Sequence, residues 1–143
     1  MCWWPGRWIT PRPNKLPSVK SDAFRAAVEA KDFSTFEEIF SDDPSFVSPA
    51  VFKPYEGAEA MRAVLAAATK TFEGLTYIDQ VETGNRAVLI FEADVGDKQV
   101  KGVDILTFDD EDRVTELMVM IRPLRGLEAV VERMAENLGV PTS

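Results

Sequence analysis

The chain has 143 residues, a hydrophobic content of 45%, one cysteine, no histidine and a formal net charge of -8. That is the size of one domain with a core of its own. It excludes an intrachain disulfide, Ser-His-Asp and Cys-His catalysis and every histidine-bearing metal site, and the acidity argues against a nucleic-acid partner.

Residues 1–20 stand apart. Pro5, Pro11, Pro13 and Pro17 alternate with Trp3, Trp4 and Trp8, and the only charges are Arg7, Arg12, Lys15 and Lys20. Prolines this dense exclude a helix or a central strand, so 1–20 reads as an irregular extension to a single domain over 21–143. No uninterrupted apolar run follows the start, so no signal peptide is expected.

The periodicity predicts a first helix over about Ser21–Lys31, with Phe24, Ala27 and Val28 as its apolar stripe. A second opens at a capping box, Ser34-Thr35-Phe36-Glu37, runs through Ile39 and Phe40, and stops at Asp42-Asp43-Pro44. A short extended piece, Ser45 to Val51, leads through a loop to a third helix over Ala58–Phe72, with Gly74 as its cap.

The period then changes from helical to alternating. Strands are predicted over Leu75–Val81, Arg86–Val95, Lys98–Phe108 and Arg113–Arg122, joined by short turns as an antiparallel meander. Pro123 ends the sheet, and Gly126–Leu138 is a last helix capped by Gly139. Helices, then a meander, then a helix is the α+β pattern. The strands are apolar on both faces, so helices are expected to cover one face and a second copy of the chain the other, giving a homodimer through the outer face.

One residue breaks the alternation. Val100, Gly102, Asp104, Leu106 and Phe108 share a strand face, and Asp104 is the single carboxylate in that row. A carboxylate so placed is hydrogen-bonded, paired, or kept neutral by a raised pKa. It serves either as a structural carboxylate or as a protonated donor facing a pocket. The acidic turn Asp109–Asp112 lacks the spacing and glycine of a calcium loop and reads as solvated.

The runs Ala30-Lys31-Asp32-Phe33, Phe40-Ser41-Asp42-Asp43-Pro44, Phe46-Val47-Ser48-Pro49 and Glu56-Gly57, with Gly102-Val103-Asp104-Ile105 and Phe108-Asp109, resemble the nuclear-transport-factor-2-like superfamily. Ketosteroid isomerases, limonene-epoxide hydrolases and SnoaL-like polyketide cyclases belong to it. The resemblance covers about Ser21 to Leu138 and implies a cone-shaped, curved antiparallel sheet wrapped around the N-terminal helices, a cystatin-like α+β barrel with an apolar pocket. In the isomerases an aspartate before a proline is the base, and that position holds Ser48. Their oxyanion tyrosine falls on Phe24. Their protonated aspartic acid, a worked example of a carboxyl kept neutral by an apolar site, falls on Asp104. The hydrolases' charged positions fall on Ala93, Val95 and Val119, and the cyclases' aspartate on Val119.

The pocket so implied is lined by Phe24, Ser48, Tyr55, Met61 and Tyr77, and from the sheet by Phe91, Leu106, Leu117 and Val119. Asp104 is its anchor or catalytic acid. The first reading is therefore a protein that binds a small hydrophobic ligand. The second is an isomerase, hydrolase or cyclase using Asp104 as acid, and the third a protein–protein interaction module. None calls for a cofactor or a metal. No apolar run is long enough to cross a membrane, and the lone Cys2 suits a reducing, cytoplasmic compartment.

Overall fold

The structure is a computed structural model describing residues 19–139. The extension expected over 1–20, with Trp3, Trp4 and Trp8, lies outside the described residues except for Val19 and Lys20. In chain order the elements are α1 (Asp22–Ala30), α2 (Phe36–Ile39), β1 (Phe40–Val47), β2 (Tyr55–Glu56), α3 (Ala58–Thr71), β3 (Glu73–Thr83), β4 (Arg86–Val95), β5 (Lys98–Phe108), β6 (Val114–Arg122) and α4 (Leu124–Leu138). The architecture is α+β.

The strands form one curved, unclosed six-stranded sheet in the order β2-β1-β6-β5-β4-β3. From β3 to β6 it is the antiparallel meander that the short turns predict. The departure lies at β1, which runs parallel to β6 and antiparallel to β2. A parallel neighbour needs a long crossover; here β2, α3 and the meander provide it.

The second helix is a correction. It is a single turn, and Phe40 already has extended geometry (φ -109°, ψ 150°). Thr35 makes no side-chain capping bond. Asp42-Asp43-Pro44 does not stop a helix but lies within β1, where the register against β6 is irregular between Phe40 and Ser45. A proline is tolerated there because no regular ladder bond is required of it. Gly74 likewise caps no helix. Phe72 closes α3 in extended geometry, and Gly74 spends its positive φ of 62° where the β3–β4 register shifts between Glu73 and Thr76.

One face of the sheet, bearing Leu89, Phe91, Asp104 and Leu106, meets α1, α3 and α4 in a single apolar core. The outward residues Val88, Ile90, Val103, Ile105 and Met118 are half-buried, and Met120 is exposed. Among the described residues no helix is long and apolar enough to cross a membrane.

Candidate active or ligand-binding site

Asp104 stands in mid-β5, directly opposite Leu89 on β4 and Val119 on β6. It is 7% exposed. Tyr77 donates a hydrogen bond to its Oδ2 at 2.5 Å, and this is the carboxyl's one hydrogen bond among the described residues. Burial pushes Asp104 up to about 7, while the Tyr77 bond pulls the other way by stabilising the anion. Burial, and then the adjacent Asp104, holds the Tyr77 phenol well above its ordinary value. Below pH 7 the pair is thus neutral, with a carboxyl oxygen free to donate to a ligand.

Tyr77 reaches Asp104 from two strands away. It pairs with Phe91 on β4, which pairs with Gly102 on β5. The missing side chain at Gly102 makes this possible: a Cβ there would lie 2.3 Å from Phe91 Cζ. The Phe91 ring settles over the glycine and packs edge-on against Tyr77 (6.1 Å) and Phe72 (5.7 Å). Just beyond Tyr77 the β3–β4 register shifts, and α1 supplies backbone partners there. Glu29 Oε2 accepts the Tyr77 N–H at 3.2 Å, Arg25 donates to the Tyr77 carbonyl at 3.3 Å, and the two side chains bridge at 3.5 Å.

The pair opens into an apolar cavity of about 190 Å³. Of the residues expected to line it, Phe24, Ser48, Tyr55, Tyr77, Phe91, Asp104, Leu117 and Val119 do so. Met61 and Leu106 do not. Both are fully buried in the core: Met61 lies one turn before the lining residues Val64 and Leu65 on α3, and Leu106 lies beside Leu117 with the helices packed over it. The Ser48 hydroxyl accepts the Ala50 N–H at 2.9 Å and so holds the loop. Tyr55 is 39% exposed and packs on Phe46, 6.0 Å away.

Among the lining residues outside the expected set, two contributions matter most. The inner stripe of α4, with Val130, Val131 and Met134, forms part of the cavity wall; its helical spacing was visible but its target was not. Lys31, just past α1, also lines the cavity. Lys31 and Asp104 are the only cation and the only acid among the described lining residues. Among the described residues no group of three or more His, Cys, Asp or Glu side chains could hold a metal ion.

The SnoaL-like domain profile matches residues 22–117. The fold is similar to a steroid delta-isomerase from Pseudomonas aeruginosa, 33% identical, with a TM-score of 0.80 over 84% of this chain and 89% of that one. It is also similar to an uncharacterised cystatin-like protein from Silicibacter pomeroyi DSS-3 (23% identity, TM-score 0.77, 82% and 83% covered). A third similar structure is a putative SnoaL-like polyketide cyclase from Shewanella denitrificans OS-217 (17%, 0.61, 79% and 94%). A search of curated proteins finds no match. With the profile spanning more than half of the chain and the fold agreeing, the chain belongs to the SnoaL-like domain family.

Proposed function

We propose that the chain binds a compact, largely apolar small molecule and orients it by a hydrogen bond from Asp104. The observation that carries this is the neutral Asp104–Tyr77 pair closed inside an apolar cavity. Such pockets take their affinity from apolar burial and their orientation from a few polar groups. A dry cavity of about 150 Å³ holds the six carbons of benzene, so one of about 190 Å³ encloses on the order of eight non-hydrogen atoms of a ligand. That is smaller than a tetracyclic steroid. The test is a titration of the protein with compact cyclic ketones and phenols, followed by amide NMR. Shifts centred on Tyr77, Asp104 and Val119 are expected, with about tenfold weaker binding in Asp104→Leu, which removes the donor that an asparagine would keep. Binding that ignores this substitution would overturn the proposal.

A second reading, an enzyme of isomerase, hydrolase or cyclase type with Asp104 as the acid, is favoured by one observation. A carboxyl near pKa 7 with a tyrosine at 2.5 Å is suited to proton transfer at neutral pH. The 33% identity to a steroid delta-isomerase supports it too. Against it, Ser48 stands where the isomerases carry their base, and no second carboxylate lines the cavity among the described residues. We further propose that two copies pair through the outer face of the sheet, and that the single cysteine reflects a cytoplasmic setting.

A further inference from the structure

We infer that the preferred ligand is two-ended: an apolar body with a carbonyl or hydroxyl for Asp104 and Tyr77 at one end and a carboxylate for Lys31 at the other. This rests on the binding reading above and narrows its ligand class. The lining of the cavity is apolar apart from a few groups, and its two charge-bearing members differ in depth. Asp104 is buried and Lys31 is exposed. They therefore mark the closed and the open end of the site.

Lys31 is held in place for such a role. Its Nζ donates to the Phe72 carbonyl at the end of α3, 3.3 Å away. An ammonium has three donors, so two remain. It forms no salt bridge with a described residue, although the chain carries a net charge of -8. The adjacent carboxyl of Asp32 is occupied by the Ser34 N–H at 3.0 Å. The Lys31 backbone is left-handed (φ 56°, ψ 38°), a conformation in which a helix ordinarily places glycine. A lysine kept at that cost, unpaired on an acidic chain and facing an apolar cavity, is the arrangement that selects an anion.

The test is calorimetric titration at pH 6 and low salt with 4-(4-oxocyclohexyl)butanoate and its neutral carboxamide. The carboxylate is expected to bind about tenfold tighter, as for a charge-assisted hydrogen bond, and the margin to shrink in about 0.5 M salt. Lys31→Gln should abolish the margin by weakening the carboxylate alone. A purely structural Lys31 would move both ligands together. Asp104→Leu, which leaves no donor at that position, should weaken both ligands alike. Equal affinities in the unmodified protein, or a preference that survives Lys31→Gln, would overturn the inference while leaving the binding reading intact. If neither ligand binds, both fall.

Discussion

At the scale of single residues, Asp104 makes the fold sensitive to pH. Its carboxyl moves from the usual value of 3.8 up to about 7 on burial. Between these values the folded state holds a proton that the unfolded state has released. The stability contributed by this group is therefore complete below about pH 4. It falls as the pH rises toward 7, by on the order of 4 kcal/mol once both states are ionised. Asp104→Asn removes that liability, so the variant should melt several degrees above the unmodified protein at pH 8.5, with the gap closing or reversing at pH 5. Calorimetric melts at the two pH values decide it, and a gap independent of pH would show that Asp104 does not titrate in this range. Carboxyl NMR gives the companion result: Tyr77→Phe removes the bond that stabilises the anion, so the Asp104 midpoint should rise further. Asp104 was legible in the sequence because strand alternation sets it in an apolar row. Its partner was not: Tyr77 lies 27 residues away, across an intervening strand and beside a register shift. Nor was Lys31, whose position depends on the left-handed turn that ends α1.

At the scale of elements, the long alternating strands and three of the four helices follow from period alone, and the failures share one cause. Phe36 and Phe40 sit four residues apart and their rings stack at 4.6 Å, the pairing that an extended helix would give. The chain obtains the same contact from one helical turn running straight into a strand, because β1 pairs with β6 at Phe40 and again over residues 45–47. Tertiary pairing outweighs a helix only one or two turns long. Gly102 shows the reverse case, a residue that local patterning leaves unremarked and packing makes indispensable. Gly102→Ala would set a methyl 2.3 Å from Phe91 Cζ and 2.9 Å from the Met120 carbonyl oxygen, both too close. Overpacking of this kind costs about 1–3 kcal/mol, and displacing Phe91 loosens the packing that aims Tyr77 at Asp104. Urea denaturation should show that loss, and Gly102→Ala combined with Phe91→Leu should recover part of it. A single variant as stable as the unmodified protein would mean that the ring has somewhere else to go.

At the scale of the whole molecule, the helices cover one face of the sheet, and the proposed pairing of two copies would cover the other. Register places Ile90, Val103 and Met120 in one row across β4, β5 and β6, and Val88, Ile105 and Met118 in the next. The row beyond them carries Glu92, Lys101 and Arg122. A contiguous apolar surface bordered by charge marks an association site, and a two-fold axis lets one patch serve both partners. Acidity opposes this pairing, since each copy carries -8. Moderate salt, which screens that repulsion without weakening apolar burial, should therefore strengthen the dimer. Sedimentation equilibrium should return twice the chain mass of 15.9 kDa, with the dimer favoured as salt rises. Met120, 50% exposed on this face, is the residue to change. Met120→Glu would bring a carboxylate from each copy into a drying interface, a cost association cannot offset, while leaving the inner core untouched. The variant should sediment as one chain with an unchanged circular dichroism spectrum. An unmodified protein that stays monomeric at every concentration and salt would sink the proposal.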